Sequence, residues 1–190
     1  MSPRPTPDFE GLLARLTNAL NARAVPFMLI GGQAVLLHGD PRLTQDVDAT
    51  LGAGPERLDD IIHVCREMGL EPLPDDLETF VRRTFVLPAR DSATGLRVDF
   101  IFSTTPYEAQ AIARAVLVPI GDADVPFATA EDLIIHKLFA GRPRDLEDAA
   151  GVVRRKGHEL DWAYMREWVG RFSTAEGRED LPSLLDALEG

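Results

Sequence analysis

Two hydrophobic periods divide this chain. As far as about residue 128, short apolar runs of strand length alternate with segments whose apolar residues recur at helical spacing. From Thr129 onward the helical spacing alone continues to the end. A period of two needs a sheet to bury its apolar side, and a period near 3.6 needs a helix packed against something. The expected class is therefore α/β (α+β). Residues 1–128 should form a short mixed β-sheet flanked by helices, and residues 129–190 a C-terminal helical segment packed on that core.

Phe9, Leu12, Leu13, Leu16, Ala19 and Leu20 mark a first amphipathic helix over residues 8–23. Phe27-Met28-Leu29-Ile30, introduced by Pro26, reads as a buried strand, and Gly31-Gly32 separates it from a short helix at 33–38. Residues 44–51 alternate as a second strand, and 55–68 form the next helix with Pro55 in its first turn. Strands at 84–87 and 97–103 flank Asp91-Ser92-Ala93-Thr94-Gly95, whose turn composition makes the pair a hairpin. A helix at 106–114, a strand at 116–120 and a Gly121-Asp122 turn complete this part. Helices near 129–140, 143–156, 161–171 and 180–189 make up the rest, with no repeat, low-complexity tract or flexible linker.

Composition narrows the function. No apolar run reaches the roughly 18–20 residues that cross a bilayer, and the N-terminus turns acidic and amphipathic where a secretory leader would need its apolar stretch. A soluble, cytoplasmic protein with no membrane partner is expected. The single cysteine, Cys65, lies on the stripe Leu58, Ile61, Ile62, Cys65, Met68 and is expected to be core rather than a reactive thiol. A net charge of -11 repels nucleic acid in general, so any RNA partner must meet a local basic patch such as Arg142 with Arg144, or Arg154-Arg155-Lys156. His38, His63, His136 and His158 have no metal-ligand spacing with cysteine or with one another, which argues against zinc.

The informative stretch is LIGGQAVLLHGDPRLTQDVDATL, residues 29–51. Glycines between a strand and a helix let the backbone approach a ligand closely, and the helix start turns unpaired N–H groups outward. Asp46 and Asp48, two apart in a strand, project from one face while Val47 faces the core. Two carboxylates held side by side repel unless a cation lies between them, and Mg²⁺ is commonly held by one or two carboxylates plus substrate phosphates. Asp99 interrupts the apolar strand Val98-Asp99-Phe100-Ile101-Phe102, where an unpaired buried charge would be costly. It either supplies a third carboxylate to the same site or pairs with Arg97, two residues away on the same face.

Gly31-Gly32, then Arg42-x-Thr44-x-Asp46-x-Asp48, then Asp99 on a later strand resembles the signature of the DNA polymerase β-type nucleotidyltransferase superfamily. Within it, the Gly-Gly-x-Ala opening and the segment from Lys137 to Asp148 (KLFAGRPRDLED) resemble the AbiEii-type toxin and related minimal nucleotidyltransferases, over about residues 27–153. The resemblance implies a metal-dependent enzyme, with Mg²⁺ or Mn²⁺, that transfers a nucleotide from a nucleoside triphosphate to an acceptor hydroxyl. Asp46, Asp48 and Asp99 would be catalytic and hold metal. Gly31 and Gly32 would cradle the triphosphate, Lys137 would meet phosphate as a further catalytic group, and Asp145 and Asp148 would belong to the second motif. Gln33 stands where many relatives carry Ser or Thr, and it can still donate a hydrogen bond to phosphate. Arg42, Thr44 and Arg144 join the expected nucleotide-binding set, although Arg42 and Thr44 could equally brace the loop.

Taken singly, Lys137 can be a snorkelling cation on an apolar helix face, and Asp145 and Asp148 can be favourable first-turn acids. Three functional readings follow from the resemblance: a toxin-like enzyme acting on tRNA or another macromolecule, with a cognate antitoxin as partner; transfer to a small molecule; and a noncatalytic protein that keeps the fold for binding.

Overall fold

A computed structural model describes residues 8–190. The reading of the N-terminus as free of a leader rests partly on residues 1–7, which lie outside the described residues. The chain divides into two compact units, one of residues up to 30 with 44–127, the other of residues 31–43 with 128–190. The helical unit thus takes in the short helix that follows the first strand, as well as everything beyond Ala128.

The first unit is built on a seven-stranded mixed sheet. Its strands are β1 (Phe27–Ile30), β2 (Asp46–Leu51), β3 (Leu70–Pro72), β4 (Val86–Asp91), β5 (Arg97–Phe102), β6 (Val116–Ile120) and β7 (Ala123–Phe127), in the order β3-β4-β5-β2-β1-β7-β6. The β2/β5 and β1/β7 pairs are parallel and the other pairs antiparallel. Alternation does what the sequence requires of it: in β5 Val98, Phe100 and Phe102 are buried while Arg97 is exposed and Asp99 and Ile101 are half-buried. Helix α1 (Phe9–Ala22) buries Leu12, Leu16 and Leu20 completely and packs on β7 and on α3 (Leu58–Met68). Asp8 caps α1 by accepting the Gly11 N–H at 2.9 Å, satisfying one of the donors that a helix start leaves over. Cys65 is fully buried on α3, and that burial pushes its thiol up to about 12. Helices α4 (Leu77–Thr84) and α5 (Pro106–Ala113) complete the unit.

The second unit is helical throughout. It comprises α2 (Gly31–His38), here numbered in chain order between α1 and α3, with α6 (Ala130–Ala140), α7 (Pro143–Lys156), α8 (Trp162–Ala175) and α9 (Leu181–Glu189). Leu133, Ile134, Leu138, Val152, Met165 and Leu185 form its core, and α2 packs on α6 and α7. At the start of α6, Thr129 caps the helix through the Asp132 N–H at 3.1 Å. The fully buried Asp132 carboxylate accepts from the Thr129 and Tyr164 hydroxyls at 2.8 and 2.7 Å. That acid is a structural tie between α6 and α8.

Candidate active site

The sheet unit carries the carboxylates. Parallel pairing of β2 with β5 sets Asp46 beside Arg97 and Asp48 beside Asp99. Register partners in paired strands share a face and lie about 5 Å apart between strands. All three acids and Arg97 therefore project from one side of the sheet. Asp46 is exposed, while Asp48 and Asp99 are half-buried. The Arg97 Nε donates to Asp99 Oδ1 at 2.7 Å, so Asp99 is paired with arginine while it lies in the acidic row. Among the described residues no three His, Cys, Asp or Glu side chains already converge as a metal site. The donor set nonetheless fits a hard divalent cation, since it is made of carboxylate oxygens aligned on one face with a positive group drawn in among them.

Across the sheet, Pro88 of β4 stands opposite Asp99. The flanking hydrogen bonds, Phe102 N to Phe85 O and Asp91 N to Leu96 O, make Pro88 and Asp99 a non-hydrogen-bonded pair. The missing proline N–H costs β5 nothing there, and side chains in such pairs approach closely. Pro88 also lines an open groove of about 410 Å³ with Leu73, Phe80, Asp75, Asp76 and Arg83. Thr44, at the entrance to β2, donates its hydroxyl to the Asp46 carbonyl at 3.4 Å.

The helical unit holds the other expected residues. Gly31, the residue after Ile30 of β1, has φ of 63°, a conformation that favours glycine. Gly32 and Gln33 are buried in the first turn of α2, and the Gln33 Nε2 is buried with no hydrogen-bond partner among the described residues. An orphaned amide donor at a glycine-led helix start is suited to an anion. His38, at the other end of α2, is buried with its Nε2 donating to the Ala128 carbonyl at 2.8 Å, and burial holds its pKa below the usual imidazole value.

Lys137, Asp145 and Asp148 form a buried cluster. The Lys137 Nζ donates to Asp145 Oδ1 at 2.9 Å and to Asp148 Oδ2 at 2.8 Å, with 9% of its side chain exposed. Arg42 adds a two-pronged contact to Asp148 at 2.9 and 3.0 Å, and Arg142 a second partner for Asp145. Each carboxylate is thus shared by two cations. Burial would raise both carboxyls, but the hydrogen bonds from Arg142 and Lys137 to Asp145, and from Arg42 and Lys137 to Asp148, outweigh it and hold both below the ordinary carboxylate value. Arg144 lies outside this cluster, exposed on the wall of an open groove of about 800 Å³ that Asp40, Arg42, Glu147, Asp148 and Arg154 also line. The linkage of Arg42 to Asp148 across the unit, and of Arg154 to Asp40, was not legible in the sequence, because the partners lie more than 100 residues apart.

Comparison with known proteins follows the same outline. Residues 12–188 match the family described as nucleotidyl transferase AbiEii toxin, type IV toxin–antitoxin system. No protein of curated function matches the chain in sequence. Among solved structures, the solution structure of the antibiotic-resistance factor ANT(2'')-Ia superposes with a TM-score of 0.60 at 15% identity, covering 90% of this chain and 96% of that one. A crystal structure of ANT(2'')-Ia in complex with adenylyl-2''-tobramycin gives 0.54 at 17% identity, with 94% and 95% covered. The lincosamide antibiotic adenylyltransferase LnuA, lincomycin-bound, gives 0.52 at 13% identity, with 77% and 96% covered. At such identities these structures establish the nucleotidyltransferase fold.

Proposed function

This chain belongs to the AbiEii family of nucleotidyltransferase toxins, and from that premise we propose that it transfers a nucleoside monophosphate from a nucleoside triphosphate to an acceptor hydroxyl. The observation that carries the reading is the β2/β5 register, which aligns Asp46, Asp48 and Asp99 on one sheet face. Asp46 and Asp48, with Asp99, are the residues that would hold Mg²⁺ or Mn²⁺. Bound there, the ion would neutralise charge developing on the phosphates.

The chain's own groups supply the rest. The start of α2, with Gly31, Gly32 and the Gln33 amide, binds triphosphate oxygens. The acceptor oxygen attacks the α-phosphorus, the bond to the bridging oxygen breaks and pyrophosphate leaves. Asp99 accepts the acceptor's proton on a carboxylate oxygen. Thr44 steadies the entrance to β2 through the Asp46 carbonyl. Lys137 meets a phosphate from its seat between Asp145 and Asp148, and Arg42 and Arg144 extend the cationic lining for the nucleotide. Positioning and fixed charge account for most of the rate in phosphoryl transfers of this kind.

The family's description as the toxin of a toxin–antitoxin system supports a cognate antitoxin as partner, and the proposal adds a macromolecular acceptor such as tRNA and action in the cytoplasm. A small-molecule acceptor is the second reading. The groove beside Pro88 favours it, being mixed apolar and acidic and only about 410 Å³ in volume. No membrane partner is proposed, and no helix among the described residues is long and apolar enough to cross one.

The test is transfer of label from each α-³²P nucleoside triphosphate, with Mg²⁺, to total RNA and to a panel of hydroxylated small molecules. Labelled product with the wild type and none with Asp46→Ala/Asp48→Ala supports the reading. Equal labelling by both proteins contradicts it.

A further inference from the structure

Arg97 is hydrogen-bonded into the acidic row, and its surroundings give it one direction to lean. On β2 its register partner is Asp46, on its own strand Asp99 lies two residues on, and on β4 its register partner is another arginine, Arg90. Like charges directly opposite each other are unfavourable, so Arg90 disfavours a turn toward β4. The guanidinium accordingly turns along β5 to Asp99, whose side chain is 18% exposed against 44% for Arg97. Its pKa is raised, first by the hydrogen bond to Asp99; burial opposes this, and the charges of Asp99, Asp46 and Asp48 add to it in smaller measure. One guanidinium thus senses all three acids.

Resting on the metal reading above, we propose that Arg97 is the resident counter-cation of the carboxylate row: it holds Asp99 while no divalent ion is present, and the ion gains its third carboxylate by displacing Arg97 from it. Arg97 is then a positioning residue for Asp99, not a member of the reacting set. A partly exposed Arg–Asp pair is weak enough to exchange, since its net worth is small once solvent screening is counted. The exchange has a useful consequence. Without the ion, Asp99 is engaged and unavailable to take a proton from an acceptor. With it, Asp99 turns to the ion and is released from the guanidinium.

The exchange is measurable without catalysis. Mn²⁺ binding is titrated calorimetrically, in the absence of nucleotide, on the wild type, Arg97→Ala, Arg97→Lys, Asp99→Asn and the Arg97→Ala/Asp99→Asn double variant. Arg97→Ala should tighten Mn²⁺ by about two- to fivefold in the wild-type background. Little of that gain should survive in the Asp99→Asn background, because there is no third carboxylate left to release. Arg97→Lys, which keeps the charge but loses the planar fork, should fall between. An unchanged or weaker affinity in Arg97→Ala overturns the proposal, and so does a full gain that persists with Asp99→Asn, which would be mere removal of repulsion. The two readings fail separately. If the wild type binds Mn²⁺ and Arg97→Ala matches it, only the counter-cation role is lost. If no variant binds Mn²⁺, even with a nonhydrolysable triphosphate present, the metal reading itself falls and takes this one with it.

Discussion

Both units of this molecule gather carboxylates, and they treat them in opposite ways. Asp145 and Asp148 in the helical unit are buried, and each is shared by two cations contributed by the same unit. Asp46, Asp48 and Asp99 in the sheet unit are exposed or half-buried, aligned by strand register, with Arg97 as the cation hydrogen-bonded to Asp99. A buried acid must be paired where it sits, or folding bears the cost of an uncompensated charge. An exposed acid such as Asp46 is under no such obligation. The contrast marks the first group as ties within its unit and supports the chemistry proposed for the second.

The contrast breaks most visibly if the sheet acids turn out to be structural. Asp48→Asn should cut nucleotidyl transfer by roughly a thousandfold or more, the scale of removing a charge contact made at the reacting phosphate. The exposed Asp46 gives the cleaner stability control: Asp46→Asn should keep its Tm equal to the wild type within about 2 °C, the range of an ordinary surface substitution. Activity assay of the first variant and calorimetry of the second check both halves. The mirror experiment is Lys137→Met, which leaves each of two buried carboxylates with its arginine alone. It should lose about 2–4 kcal/mol in urea unfolding, the scale of two lost charge-assisted hydrogen bonds. A loss no larger than that of a surface substitution would mean the cluster does not bind its unit together.

Acid titration sharpens the same point. Asp145 and Asp148 have folded pKa values below their unfolded ones, so the stability they contribute is present above the unfolded value near 3.8 and is lost as pH falls through the folded values beneath it. The urea midpoint should drop steeply below about pH 4, and Asp148→Asn should flatten that drop. A smaller effect belongs to His38. Its folded pKa lies below the usual imidazole value of 6.5, so the unfolded chain binds the proton more readily and stability declines as pH falls from 6.5 toward the folded value. His38→Gln should remove that shallow slope between pH 5 and 7, and an unaltered slope would place its origin elsewhere.

Much of this architecture is readable in the residues. The strand at 27–30, the strand bearing Asp46 and Asp48, β5 with its alternating core, and all four helices beyond Thr129 follow from period and capping alone. What escapes has identifiable causes. Helix α4 is only eight residues long, and its stripe of Leu77, Phe80 and Val81 spans little more than one turn, too short to read as a helix. The segment ADVPF of β7 is short and contains a proline, yet it lies between β1 and β6 in the sheet. The strand expected at 84–87 runs instead from Val86 to Asp91, passing through Pro88 because the proline falls at a non-hydrogen-bonded pair with β5. The three-residue β3 carries too little sequence to show an alternation at all. At the site, the shared face of Asp46 and Asp48 is a matter of counting along a strand. That Asp99 lies level with Asp48 depends on pairing between segments 51 positions apart, which only the folded register supplies. The Lys137 cluster is similar: its helix-start acids are visible in the sequence, whereas the arrival of Arg42 from over 100 residues away is not.

The central claim is that the acidic face of the sheet is kept for an external cation that carries a triphosphate. Isothermal titration of ATP, CTP, GTP and UTP, with and without Mg²⁺, on the wild type and Asp46→Ala/Asp48→Ala tests it most directly. The account predicts that at least one triphosphate binds the wild type in a Mg²⁺-dependent manner, and that the double variant, still folded, loses this binding. Mg²⁺-dependent binding of equal strength in the double variant, or no binding of any triphosphate to the folded wild type, would contradict it.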